Sequence, residues 1–195
     1  KTAILASLVA SAAAFAPAAS NGRSSALSAA VDSMPGAIDF KGDAKVFDPL
    51  NFATTYEPFL PFFREAELRH GRTAMLAVLG MIVPDFVRVP GEMYSFEAIP
   101  KTVDAHDALI DKGPMLQLLV WISLWDTIVT APAIAATMKG EREPGDFAWN
   151  IMKPTDEARY KKKVESELRN GRLAMMATGG IMTQSIISGH GFPFV

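Results

Sequence analysis

Cysteine is absent from this 195-residue chain. Its absence removes disulfides, thiolate metal sites, iron–sulfur clusters and cysteine nucleophiles. A surplus of one charge sign is missing too: 19 Lys and Arg stand against 21 Asp and Glu, a formal net charge of −2. No basic field is therefore available for nucleic acid. Hydrolytic triads, phosphate-cradling glycine loops and nucleotide fingerprints do not occur. What is abundant is apolar. Hydrophobic residues make up 49% of the chain, and mean hydropathy is +0.17 although 21% of residues are charged. That balance favours membrane contact. Ten Met and twelve Phe add soft apolar surface, which suits a flexible core or a ligand pocket equally.

The length allows one domain. Lys1-Thr2 precedes an Ala-rich apolar run, Ala3–Ala19, too short and too Ala-rich for a stable membrane span. Ser20–Ser28 then carries Arg23 and no acid, which is transit-peptide composition. The junction Ala14-Phe15-Ala16-Pro17 resembles the cleavage signature of proteins imported into plastids of red-algal descent. Residues 1–30 are expected to be a targeting segment, 31–60 an extended N-terminal segment, 61–188 the working domain and 189–195 a short tail.

The strongest signal is an internal repeat. Glu67-Leu68-Arg69-His70-Gly71-Arg72-Thr73-Ala74-Met75-Leu76-Ala77-Val78-Leu79-Gly80 aligns without gaps to Glu167-Leu168-Arg169-Asn170-Gly171-Arg172-Leu173-Ala174-Met175-Met176-Ala177-Thr178-Gly179-Gly180, 100 residues on, with nine of fourteen positions identical. Solenoids need three or more shorter units. Two distant copies point to one duplicated element with something between. Neither Phe62–Val83 nor Tyr160–Ile187 contains Pro, and both are rich in Leu, Met, Ala, Glu and Arg. Each predicts a helix of bilayer-spanning length at about 1.5 Å rise per residue. Between them, Met115–Met138 carries Asp126 as its only charge, with Pro114 suited to a first helical turn and Pro132 predicting a kink. One intervening span makes the two copies run the same way through the membrane. The expected fold is an all-α membrane protein of three transmembrane helices. The first and third would be crossed and related by a pseudo-two-fold axis along the membrane normal.

Ionisable groups inside membrane helices are costly and mark function. Glu67, Gly71, Ala74 and Val78 share one helical stripe with His70 at its edge. Small residues there let helices approach. Arg72 is poorly spaced to pair with Glu67 on its own helix. Glu167 is its better mate, and Arg172 that of Glu67. These charges serve either to lock a helix crossing or to ligate a metal. Glu67 has His70 one turn on, and Glu167 has Asn170 in the same place; such donors suit a hard Mg²⁺ needing one axial ligand. Gln184 returns to the face of Asn170 about four turns deeper. Gln117 is either an interhelical hydrogen bond or another ligand.

The doubled pattern Glu-x-x-His/Asn-Gly-Arg-x-Ala-Met resembles the light-harvesting chlorophyll-binding superfamily, over roughly Phe47 to Gln184. The resemblance implies chlorophyll Mg ligation by Glu67, His70, Glu167, Asn170 and Gln184, with Arg72 and Arg172 as charge partners. It also implies Gln117 and Asp126 as middle-helix ligands. Phe47-Asp48-Pro49-Leu50 is similar to the family's carotenoid-seating segment, and Gly145-Asp146-Phe147 looks like a degenerate second copy; an ordinary Asp-Pro turn is the bland reading. The chain ends eleven residues after Gln184, so the fourth helix of plant members is expected to be absent. His190 and His106 are expected to be solvated. The chain looks more like the chlorophyll a/c antennae carrying fucoxanthin or peridinin. The implied cofactors are chlorophyll a, a second chlorophyll of the c type and a xanthophyll. The implied partners are a photosystem core, neighbouring antenna subunits and lipid, in the plastid thylakoid membrane, with no nucleic acid and no enzyme activity. Three other readings compete. A di-metal oxidoreductase needs Glu-x-x-His twice, and the second copy has Asn170. A small repeat-built transporter has few spans to work with. An energy-dissipating member of the same superfamily differs by no residue identified here.

Overall fold

The computed structural model describes residues 31–32, 34–37, 47–149 and 153–193; the targeting segment expected over 1–30 lies outside them. The chain divides into two compact units, residues 1–60 and 61–195. In the first, the segment expected to be extended contains a helical turn, Phe52–Thr55. The Asp48 carboxylate builds it by accepting from the backbone N–H groups of Phe52 (3.0 Å) and Ala53 (2.8 Å). Such side-chain acceptance satisfies the orphan donors of a helix start.

The second unit is helical, and no strand occurs among the described residues. Helix α1 spans Leu60–Ile82 and stops where Pro84 enters the following turn. Helix α2 spans Pro114–Met138. Helix α3 spans Glu157–Ser188; Asp156 caps its start by accepting from Ala158 N–H, and Gly189, at φ 71°, ends it in the left-handed conformation. The bend expected at Pro132 takes a specific form. A π-helical turn, Asp126–Thr130, sits immediately before it, with Ala131 N–H donating to Asp126 O. Proline has no N–H to offer the preceding turn, and the wider π turn absorbs the break without ending the helix.

Among the described residues, α2 is the one helix long and apolar enough to cross a membrane by itself. In α1 and α3 the apolar run is shorter, Thr73–Ile82 and Leu173–Ile187, because the first part of each helix carries the charges. On α2, Leu116, Leu118, Leu119, Val120, Trp121, Ile122, Leu124, Trp125 and Ile128 are all exposed. A soluble domain does not leave such a surface bare.

The interior is small and partly polar. Leu68, Gly71 and Ala74 on α1 are buried, as are Leu168, Gly171 and Ala174 on α3. The repeat is thus a structural one: the same three positions face inward in each copy. A Cβ placed on Gly71 would lie 3.0 Å from the Cα of Gly171, and one on Gly171 would lie 3.0 Å from the Cα of Gly71. The two backbones touch where only glycine leaves room.

A second anchor joins α1 to the loop after α2. Glu65, 3% exposed, accepts from both terminal nitrogens of Arg142 at 3.1 Å and from Gly145 N–H. Arg142 also donates to Thr137 Oγ1 (2.7 Å) and Ala133 O (3.1 Å), gathering the end of α2. At the far end of α1, Asp85 accepts from Thr102 N–H, Thr102 Oγ1 (2.6 Å) and Phe192 N–H (2.7 Å). The C-terminal tail is therefore pinned back onto α1, and Phe192 packs on Phe86 with ring centroids 5.5 Å apart.

Two outcomes follow from this packing. Gly71→Leu should destabilise the folded chain by about 1–3 kcal/mol or more through overpacking, whereas Gly80→Leu, where an added Cβ meets nothing within 4 Å, should leave the melting temperature unchanged. Glu65→Gln should cost about 3–5 kcal/mol by stranding the Arg142 charge, read as a lower unfolding midpoint that an added Arg142→Met change largely restores.

Candidate functional site

The repeat's charged residues converge at the α1–α3 crossing. Arg72 Nε donates to Glu167 Oε1 at 2.7 Å, and Arg172 Nε donates to Glu67 Oε1 at the same 2.7 Å. All four side chains are partly shielded, 27–39% exposed. No cavity separates them: Leu68, Met75 and Leu168 close the space around the two glycines. Two oppositely signed links therefore bridge the same contact. Each neutralises charge that the partly buried contact would otherwise leave unpaired. Arg72 is held from behind as well, its Nη1 donating to Gly145 O at 2.8 Å.

The two copies differ in one respect that matters for ligand binding. Glu67 Oε2 accepts from Arg64 at 2.8 Å. Val164 stands at the matching place in copy two, and among the described residues no hydrogen bond reaches Glu167 Oε2. Among the described residues, one carboxylate thus has both oxygens in ion pairs, and the other keeps one oxygen free.

His70 and Asn170 lie on the outer, exposed side of their helices. His70 Nδ1 sits 2.7 Å from Ala66 O. A carbonyl can only accept, so Nδ1 carries the proton and Nε2 is left as an exposed lone pair. Asn170 makes the parallel choice: its Nδ2 donates to Ser166 Oγ at 3.2 Å, leaving Oδ1 open. Both side chains are oriented from one turn back, with an acceptor atom facing outward. Gln184 is exposed and lies beside an open depression of about 530 Å³ lined by Gly179, Gly180, Thr183 and Ile187. Gln117 is exposed near the start of α2. Neither glutamine side chain is hydrogen-bonded within the described residues.

Asp126 has a different setting from that of the crossing. Both its oxygens lie 2.6 Å from Arg69 Nη2, and Thr130 Oγ1 donates to Oδ1 at 3.0 Å. Asp48 caps the helical turn already described, and Pro49 beside it is exposed. Phe147 lies under the Arg142 guanidinium, 4.6 Å from it. His106 is exposed and next to Asp107; His190 is exposed, with its carbonyl accepting from Ser185. Sequence reasoning passed over Arg69, Glu65, Arg142, Thr137 and Asp85. A usable signal existed for Arg69 alone: Asp126 is the sole charge of α2 and needs a cation.

The family model described as Chlorophyll A-B binding protein matches residues 30–186. Fucoxanthin-chlorophyll a-c binding protein C of Phaeodactylum tricornutum is 37% identical over 186 residues, 90% of this chain and 90% of that protein. The fucoxanthin-chlorophyll a-c binding protein of Chattonella marina var. antiqua is 33% identical over 148 residues, 74% of this chain and 66% of its own length. Light-harvesting complex stress-related protein 1 of Chlamydomonas reinhardtii is 33% identical over 153 residues, 73% of this chain and 60% of its own length. The chain thus spans less than two thirds of the last two relatives. A glycine-on-glycine crossing clasped by reciprocal Glu–Arg pairs, over a stretch that the family model covers, leaves one assignment: the chain belongs to the chlorophyll A-B binding protein family.

Proposed function

We propose that this protein is a light-harvesting antenna subunit that holds chlorophylls and a carotenoid and passes excitation on to a photosystem. The observation that carries this reading is the pair of single, outward-facing acceptors set one turn from each clasped carboxylate: His70 Nε2 and Asn170 Oδ1. Among the described residues no three His, Cys, Asp or Glu side chains converge. Isolated donors suit a metal already held by four ring nitrogens, which asks the protein for one axial ligand. Glu67, His70, Glu167, Asn170 and Gln184 are the proposed Mg ligands, and Gln117 a further one. Arg72 and Arg172 are the charge partners of the two carboxylates. Asp48 and Pro49 are proposed to shape a carotenoid seat.

Bound pigments supply the absorption and the excitation transfer. The chain's own residues fix position. The Gly71–Gly171 contact sets the distance between the helices, Ala66 and Ser166 orient the ligating side chains, and the bare apolar flank of α2 meets ring edges or lipid. In this reading α1, α2 and α3 all cross the thylakoid membrane of a plastid, with α1 and α3 related by a pseudo-two-fold axis along its normal. The charges of α1 and α3 are neutralised at the crossing, which lowers the cost of placing those helices in the bilayer. Chlorophyll a, a c-type chlorophyll and a fucoxanthin-type xanthophyll are the proposed cofactors, by analogy with the named relatives. Partners are a photosystem core and neighbouring antenna subunits.

Refolding the full chain with a chlorophyll and xanthophyll extract tests the assignment. Glu167→Ala should lose at least one chlorophyll and lower the melting temperature, because Arg72 then lacks its carboxylate. His70→Leu should lose one chlorophyll with little change in stability. An unaltered pigment count in both variants, measured by chromatography, counts against the ligand set. Energy dissipation is the second reading, favoured by the stress-related relative. Fluorescence lifetime of the loaded protein separates the two. Harvesting predicts a long lifetime that mild acid leaves unchanged, and dissipation predicts shortening in acid.

A further inference from the structure

Asp126 is the central residue of α2, equally far from Pro114 and Met138. Its ion pair with Arg69 is thus at mid-span, and it is not enclosed: the two side chains are 42% (Arg69) and 37% (Asp126) exposed. The pair is also lopsided. Asp126 is well served, receiving Arg69 Nη2 on both oxygens and Thr130 Oγ1 on one. Arg69 is not. Only its Nη2 donates, and among the described residues Nε and Nη1 meet no acceptor. A guanidinium carries five N–H donors in a rigid plane. Hydrocarbon offers no acceptor for the ones left over, and at mid-span phospholipid headgroups are out of reach.

The surroundings narrow what could supply that acceptor. Trp125, next to Asp126, packs edge-on against Trp149 with ring centroids 6.2 Å apart, and both indoles are exposed, Trp149 by 76%. Trp121 continues the same face one turn earlier and is exposed too. All three tryptophans of the chain thus lie on or against this stretch of α2. Trp149 is held there by a built loop: Asp146 accepts from Ala148 N–H at 2.7 Å, and Ala148 adopts the left-handed φ of 59°. A non-glycine residue in that region is uncommon and persists where surrounding contacts require it. Exposed indole surface one residue from Asp126, together with the unpaired N–H donors of Arg69, fits a planar ring carrying a peripheral oxygen.

We propose that Arg69, held in place by Asp126, is a recognition residue that hydrogen-bonds a ring-edge oxygen of a tetrapyrrole seated against Trp125 and Trp149. The proposal rests on the pigment-binding reading and departs from the expectation that Asp126 itself ligates Mg. Asp126 is instead the positioning residue, its oxygens occupied in fixing the guanidinium. Two chemical sources provide the oxygen: the ring keto carbonyl common to chlorophylls, or the free carboxylate of chlorophyll c. Both are acceptors, and Arg69 offers only donors.

The test uses the full chain refolded in two arms, with chlorophyll a plus xanthophyll alone and with chlorophyll c added. Replacing the whole pair, Arg69→Leu with Asp126→Leu, removes both charges together. Such a replacement is close to neutral for stability, so the pigment-free double variant should melt with the wild type. Once loaded, it should hold one chlorophyll fewer per chain. In the wild type a resonance-Raman carbonyl band should be shifted down by hydrogen bonding, and that shift should vanish in the double variant. Loss confined to the arm containing chlorophyll c assigns the carboxylate; loss in both arms assigns the keto group. Arg69→Lys, which keeps the pair but lacks the planar fork, should weaken the band shift. A full pigment count with unchanged carbonyl bands in either variant overturns the proposal and leaves the pair a helix clasp. Wild-type chain that takes up no chlorophyll defeats the pigment reading itself. Loss of pigment in His70→Leu but not in the double variant defeats only the role given to Arg69.

Discussion

The structure depends on the contact of two backbones at Gly71 and Gly171. A Cβ on either would meet the other's Cα at 3.0 Å. A side chain of any size at this point moves the helices apart, and the ion pairs cannot follow. Arg72 and Arg172 each reach across to a carboxylate on the opposite helix at 2.7 Å, and both reaches are set by the same separation. The electrostatics depend on the packing in return. Four ionised groups at a closely packed crossing would oppose assembly unless each met its mate. Close approach and charge pairing are therefore one constraint, with the glycines supplying proximity and the pairs supplying direction.

The middle helix, α2, is attached by polar contacts. Arg69–Asp126 at the middle of α2 and Glu65–Arg142–Thr137 at its end join α1 to α2 and its exit loop, while the leucines and tryptophans of α2, with Ile122 and Ile128, look outward. A water-soluble bundle has the reverse arrangement. In hydrocarbon, apolar surface gains nothing by leaving its surroundings, and hydrogen bonds and close backbone contacts do the joining. The outward apolar face of α2 is then left uncovered. The Arg142 network extends this logic toward the crossing: Glu65 holds Gly145 N–H, Gly145 O receives Arg72, and Arg72 reaches Glu167. A fully buried carboxylate thus helps to aim the residue that balances a proposed ligand.

Much of this was legible from the repeat. Identity at Glu67, Gly71 and Arg72 and their mates implied a symmetric contact, and helical spacing made the cross-helix pairs the reasonable ones. The middle helix was legible from its single charge. The rest was hidden for definite reasons. Glu65 and Arg142 are 77 residues apart, and Arg142 looked like an ordinary helix-ending residue. Asp85 and Phe192 are separated by 107 residues, and no local pattern marks a carboxylate that accepts from two distant backbone N–H groups. The π turn was read as a simple proline bend, since composition alone does not distinguish a kink from a register shift. The resemblance implied Asp126 as a ligand; its ion pair was hidden because Arg69 sits on another helix 57 residues away.

The differences between the two copies follow burial. Leu68, Gly71 and Ala74, identical to Leu168, Gly171 and Ala174, are buried. Of the five positions that differ, four are exposed in both copies: His70 and Asn170, Thr73 and Leu173, Leu76 and Met176, Leu79 and Gly179. A symmetric contact makes each inward residue its own copy's counterpart, so a change in one must suit both. Outward residues carry no such tie. The duplicated helix could therefore keep its crossing while its two outer faces diverged: an imidazole against an amide, and a carboxylate shared with Arg64 against one with a free oxygen. Imidazole nitrogen and amide oxygen differ in softness as Mg ligands, and two arginines against one give the neighbouring carboxylates different fields. One repeated scaffold thus presents two chemically distinct sets of outward donors, which under the proposed pigment-binding function would let the two copies hold unlike pigments.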